Sequence, residues 1–279
     1  MSKSNAAIRE RSRQIVHRTP GLRHGAITRL MSPSDVGHVL KPFFLDLFDT
    51  EGTSLSVMGL HPHSGIATLT YMIEGSVRYV DTAGTTGVFS AGVVEWFKAA
   101  HGAWHGGGPN GSDRARGFRL WIALPPEQEL GEVESVYLAA EALRRHGPTV
   151  VLLGKYEGVS SRLEPPSSMT YLFVRPKGGE TWSYQPPSDH TVAWVALSKG
   201  KLDVPEPVQA GELAVFESSN QAIDFYAQAE TEFVLGSAAT HPYVLALGKY
   251  SVHTSEAALQ AGERRIAEIR TRLQHEGCL

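Results

Sequence analysis

The chain has 279 residues, 42% of them hydrophobic and 20% charged, with a formal net charge of −3. That length suits one large or two medium cores, and the nearly neutral balance gives no electrostatic case for direct binding of a nucleic-acid backbone. A single cysteine, Cys278, excludes an intrachain disulfide and suits a reducing compartment.

The 28 glycines and 16 prolines favour many short strands joined by turns over long helices. The N-terminal stretch with Arg9, Arg11 and Arg13 lacks the apolar core of a signal peptide. No uncharged run approaches the roughly 18 apolar residues that span a bilayer. A soluble, cytoplasmic protein without membrane contact is expected; the sequence identifies no protein partner.

In chain order, residues 1–18 read as a solvated arm in which Ile8 to Val16 can form a short helix. Phe43 to Asp49 is a dense apolar run, expected as a buried strand. Then comes Gly59-Leu60-His61-Pro62-His63. Alternate side chains of a strand share a face, so His61 and His63 can close on one ion. Leu69, Tyr71 and Ile73 alternate up to the turn signal Glu74-Gly75, and the stretch from Val77 to Asp81 returns. Val88 to Phe97 predicts a strand pair or one bent strand, and Gly117 to Leu124 closes the block before Pro125-Pro126. Such spacing describes an antiparallel sandwich or barrel.

Glu127 to His146 reads as a partly helical linker. A second series of strands runs from Thr149, with a loop at 154–168 and turns at Lys199-Gly200-Lys201 and Ala210-Gly211-Glu212. Its length and rhythm match the first block, which suggests two copies of one architecture. Residues 254–275 read as a helix capped by Thr254 or Ser255, with Leu259, Ile266, Ile269 and Leu273 on one face and Glu268 paired with Arg272. The expected division is an arm at 1–18, a first domain at 19–126, a linker at 127–148, a second domain at 149–253, and a helix and tail at 254–279.

The stretch from Gly59 to Gly75, with Leu40 to Asp49 before it and Ala91 to His105 and Phe118 to Trp121 after it, resembles the pirins, a bicupin family. Pro242 to Tyr250 resembles a late pirin segment. The likeness is specific over residues 40–125 and looser beyond. It implies an all-β fold of two cupin domains (antiparallel β-barrels or jelly rolls) with a C-terminal helix, and one metal site in the first domain. Carried over by position, the ligands are His61, His63 and His105. The fourth, a glutamate in the family, falls on Gly107, and a second family glutamate falls on Ala67. Glu95 and His101 are the candidates to replace the lost ligand.

The resemblance also implies either oxidation of flavonols such as quercetin with molecular oxygen, or a non-enzymatic regulatory or binding role. An open site on a redox metal favours iron; zinc, manganese, nickel and copper also suit such donors. Three neutral imidazoles leave a divalent ion's charge near +2, which makes the site more welcoming to an anion than one with a carboxylate ligand. Glu95 is the candidate base for a substrate hydroxyl. Ser64 beside His61 hints at a nucleophile and base, and Gly106-Gly107-Gly108-Pro109 reads as a flexible rim. The widely spaced His190, His241 and His253 are assigned to a second domain that binds no metal.

Overall fold

A computed structural model describes residues 13–35, 37–50, 58–111 and 114–279. It consists mostly of β-strands and ends in one long helix, Glu256–His275. The chain divides into two units: an N-terminal unit of Arg23–Ala142 with His241–Leu279, and a C-terminal unit of Leu143–Thr240 with the residues up to Leu22.

The N-terminal unit holds a seven-stranded sheet in the order Glu134–Leu138, Val94–Lys98, Ile66–Glu74, Arg116–Ala123, Phe43–Asp49, Ile27–Met31 and Leu22–His24. Its second sheet has four strands in the order Met58–His63, Ala103–Pro109, Ser76–Asp81 and Thr86–Ser90. The first six strands of the larger sheet and all four of the smaller pair antiparallel. Ile66–Glu74 is buried along nearly its whole length because its neighbours cover both edges and both faces carry side chains into packed layers. The stretch from Val88 to Phe97 is a pair, split between Thr86–Ser90 and Val94–Lys98 by a turn at Gly92 with φ +85°.

The C-terminal unit repeats this plan. Its seven-stranded sheet runs Ile15–Thr19, Leu213–Phe216, Val192–Lys199, Glu232–Ala238, Met169–Val174, Thr149–Leu153 and Arg144–His146. Thr181–Tyr184, Ile223–Ala227, Lys201–Val204 and Glu206–Gln209 form its four-stranded partner. The strand that corresponds to the His61 strand carries Trp182 and Tyr184, and its neighbour carries Phe225; all three are buried in the core cluster of that unit. Aromatic packing fills the interior there.

Several expected boundaries move. Of the proposed N-terminal helix, residues 8–12 lie outside the described residues, but Ile15–Thr19 is a strand that pairs with Leu213–Phe216. Arg13 is buried beside it, donating from Nε to the Glu217 carbonyl at 2.6 Å and from Nη2 to the Thr191 carbonyl. Backbone acceptors on a sheet edge thus order what reads as an arm. The expected linker helix is instead strand Glu134–Leu138, a 3₁₀ turn at Ala140–Ala142 and strand Arg144–His146. Val136 and Tyr137 are half-buried on the free edge of Val94–Lys98, and pairing there overrides helix propensity. The loop at 154–168 contains a small hairpin, Lys155–Tyr156 with Val159–Ser160.

The second boundary falls at 240 rather than 253. Residues 241–253 join the N-terminal unit, where Val252 donates to the Ser64 carbonyl at 3.2 Å. The closing helix starts at Glu256, with Ser255 Oγ accepting from the Ala258 N–H at 3.2 Å, a cap worth about 1 kcal/mol. Leu259, Ile269 and Leu273 are buried, each stabilising by roughly 1.5–3 kcal/mol relative to exposure. Glu268 bonds Arg265, and Arg272 reaches Glu276, in place of the expected Glu268–Arg272 pair. Among the described residues, no helix is long and apolar enough to cross a membrane.

Candidate metal centre

His61 and His63 point to one face of Met58–His63, as the two-residue repeat of a strand requires. On the adjacent strand Ala103–Pro109, His105 lies directly opposite His61 in the register, and Ala103 opposite His63. Register therefore converts two separate stretches of sequence into one cluster. The ring centroids lie 5.0 Å apart for His61–His63, 4.6 Å for His61–His105 and 5.1 Å for His63–His105. One nitrogen from each falls within 4.8 Å of the others, so the three could hold a single ion.

The ring nitrogens are already sorted. His63 Nδ1 lies 3.1 Å from the Tyr250 carbonyl and His61 Nδ1 lies 3.0 Å from the Gly59 carbonyl. A carbonyl only accepts, so in both rings Nδ1 carries the proton and Nε2 is left with its lone pair. The buried Nε2 atoms of His63 and His105 have no hydrogen-bond partner in the protein. Burial holds His63 down to about 3, with the neighbouring His61 adding to the effect; His105 is also held well below the usual histidine range, and His61 is lowered. Neutral imidazoles with free, converging lone pairs are the form that binds a divalent cation. Packing fixes the rings: Phe97 stacks on His105 at 4.5 Å, and Trp121 meets His63 edge-on at 4.7 Å.

Two cavities meet at the cluster. One is lined by His61, His105, Glu95 and Arg119, with an apolar wall that includes Phe48 and Phe89. The other is lined by His61, His63, Arg119, Trp121 and residues 247–252. Glu95 lies in the first cavity and is 3% exposed; Oε1 accepts from the Tyr137 hydroxyl at 3.3 Å, while buried Oε2 has no partner. It stands outside the convergent histidine group. His101 lines neither cavity. It lies in a turn closed by the Gly102 N–H on the Ala99 carbonyl, and its Nδ1 donates to the Gly131 carbonyl at 2.6 Å. His101 stands outside the convergent histidine group.

Gly107 occupies the place expected for a fourth ligand, and the structure gives a reason for glycine there. A Cβ at Gly107 would lie 2.5 Å from the carbonyl oxygen of Arg78 on the paired strand. The glycine run is not a mobile rim, because Gly106, Gly107 and Gly108 pair with Val80, Tyr79 and Arg78. Ala67 is wholly buried in an interior strand of the sheet.

Ser64 is engaged by His253 rather than His61. Its Oγ lies 3.0 Å from His253 Nε2 and 2.8 Å from Ser251 Oγ, while His253 Nδ1 lies 3.0 Å from Glu129 Oε2. Glu129 also accepts from the Thr254 N–H and hydroxyl at 2.7 and 2.6 Å. The order Ser–His–Glu is that of a nucleophilic relay, but the three residues are 0%, 1% and 3% exposed. Gly262 closes over them, since a Cβ there would strike Ser64 Oγ and come within 2.6 Å of His253 Nε2. No substrate reaches Ser64, and the network is a packing latch. It was hidden in the sequence because its members are 124 and 189 residues apart. His190 lies in the C-terminal unit, between Ser237 at 2.8 Å and Ser168 at 3.1 Å.

The geometry can be set beside known proteins. The pirin family model matches residues 26–122. Over those residues the chain is similar to the pirins. The chain is 44% identical over 93 residues to a Pseudomonas aeruginosa protein whose quercetin 2,3-dioxygenase name is provisional; the match covers 32% of this chain and 33% of that protein. A pirin-like protein of Caulobacter vibrioides is 29% identical over 248 residues, covering 84% of this chain and 89% of its own. The crystal structure of quercetin 2,3-dioxygenase from Acinetobacter baumannii superposes with a TM-score of 0.79 at 19% identity, over 92% of this chain and 95% of that one. At that identity the likeness establishes the fold alone, two similar units of antiparallel strands.

Proposed function

We propose that this pirin-like chain binds a divalent metal ion, iron by preference, through His61, His63 and His105, and oxidises small aromatic, flavonol-like substrates with molecular oxygen. The observation that carries the reading is the convergence of three neutral imidazoles, two with buried, unpartnered Nε2 atoms, at the junction of two cavities. A redox-active ion bound there would supply Lewis acidity and electron exchange. The protein's own residues supply the rest. Ile27, Phe48 and Phe89 offer an apolar wall for a ring, and Glu95 Oε2 is free to take the proton of a substrate hydroxyl.

One observation favours a second reading. The convergent donor group holds no carboxylate, and Gly107 leaves none at the place where the family resemblance expects one. A pirin-like binding protein with a structural or weakened metal site would have the same donors. Metal analysis of the purified protein, followed by oxygen uptake with quercetin and a panel of smaller phenols, separates the two. Iron retention with oxygen consumption supports the enzyme. Full iron occupancy without turnover across the panel sinks it, and failure to bind any divalent metal sinks both metal readings.

A further inference from the structure

The cavity beside the histidines is floored by a polar row that crosses the seven-stranded sheet. Register places Arg29 opposite Asp46, Asp46 opposite Arg119, Arg119 opposite Thr70, Thr70 opposite Glu95 and Glu95 opposite Tyr137. Six side chains on six adjacent strands thus share one line on one face. A row of this kind is costly in a sheet interior unless each member is satisfied.

The outer members satisfy each other. Arg29 Nε donates to Asp46 Oδ1 at 3.2 Å, and Tyr137 donates to Glu95 Oε1 at 3.3 Å. The inner members are satisfied only in part. Arg119 donates from Nε to Thr70 Oγ1 at 3.2 Å, and among the described residues no carboxylate lies within ion-pair distance of its guanidinium. Glu95 Oε2 is buried and unpartnered. Arg119, Thr70 and Glu95 all line the cavity that His61 and His105 enter, and its other wall is the apolar cluster of Phe48, Phe89, Ile27 and Val77.

We propose that this cavity takes a small hydroxy-substituted aromatic carboxylate. Its carboxylate accepts from the free Nη groups of Arg119, its hydroxyl donates to Glu95 Oε2, and its ring lies on the apolar wall. The charges agree with a monoanion. Arg29, Asp46, Arg119 and Glu95 sum to zero in their ionised forms, so a guest anion meets no net negative field from the row. An arginine fork matches a planar carboxylate, and a buried, unpaired carboxylate oxygen selects a donor. The inference rests on the proposed function and narrows its small aromatic substrates to phenolic acids, which unlike flavonols carry a carboxylate; the Arg119 contact does not depend on the metal.

The test is calorimetric titration of the full chain, metal-free and zinc-loaded, with 3-hydroxybenzoate, its neutral isostere 3-hydroxybenzamide, and benzoate. The acid binds roughly ten- to a hundredfold tighter than the amide, as a charge-assisted pair predicts. Arg119→Gln, which keeps a donor for Thr70, removes that preference, and Arg119→Lys restores part of it. Glu95→Gln lowers affinity for 3-hydroxybenzoate and leaves benzoate unchanged. Equal binding of acid and amide, no binding of either, or an intact preference in a folded Arg119→Gln protein overturns the inference. Zinc content measured on the same preparations judges the metal reading separately: zinc retained without carboxylate preference refutes only this inference, and preference without zinc refutes only the metal.

Discussion

His63 Nδ1 donates to the carbonyl oxygen of Tyr250 at 3.1 Å, across 187 residues of sequence. The bond fixes which nitrogen of His63 faces the cluster, and it makes the segment after residue 240 part of the site. Backbone acceptors of this kind set ring orientation and basicity in metal-binding histidines.

His63→Ala abolishes retention of the metal, because it removes a buried donor whose lone pair meets those of His61 and His105. The check is metal content after gel filtration, with circular dichroism to establish that the variant is folded. Undiminished occupancy would show the ligand assignment to be wrong.

The latch beneath Tyr250 carries its own prediction. His253→Ala leaves Ser64 and Glu129 each short of a buried partner. The cost is about 1.5–3 kcal/mol in urea unfolding, the range for hydrogen bonds to charged groups. Loosening the Tyr250 carbonyl also lowers metal affinity by roughly ten- to a hundredfold, the usual effect of losing a group that orients a ligand. A stability loss with unchanged metal affinity would separate the latch from the site.

Gly107→Glu puts back the carboxylate that the family resemblance expects, yet it does not strengthen the site. The new Cβ meets the Arg78 carbonyl at 2.5 Å, and a paired backbone cannot retreat cheaply. Strain of about 1–3 kcal/mol is expected, seen as a lower melting temperature without tighter metal binding. A stable Gly107→Glu protein with higher metal affinity would contradict this packing account.

Stability falls as the pH drops below 6.5, partly through His241. Burial first, and the nearby Lys41 second, lower its folded pKa to about 4; Glu129 and Glu127 act weakly the other way. A histidine whose pKa is depressed by folding binds its proton more readily in the unfolded chain. Its contribution is therefore complete above pH 6.5 and is lost progressively down to about 4. Denaturant midpoints measured from pH 7.5 to 4.5 follow this fall, and His241→Gln shallows it. An identical slope in the variant would assign the acid sensitivity elsewhere.

The sequence by itself determined the all-β class, the two similar blocks, the closing helix and the three histidines. Most rest on local chemistry: apolar alternation, glycine turns, a serine cap, and a His-x-His pair whose shared face follows from strand geometry; His105 joined that pair through the resemblance to the pirins. Tertiary structure decided what surrounds them. The row from Arg29 to Tyr137 exists only once six strands are in register, and nothing in any one strand announces it. The Tyr250 carbonyl, the Ser64–His253–Glu129 latch and the return of residues 241–279 to the N-terminal unit depend on contacts between distant segments. Local pattern sets which face a side chain takes, whereas long-range pairing sets what it meets there.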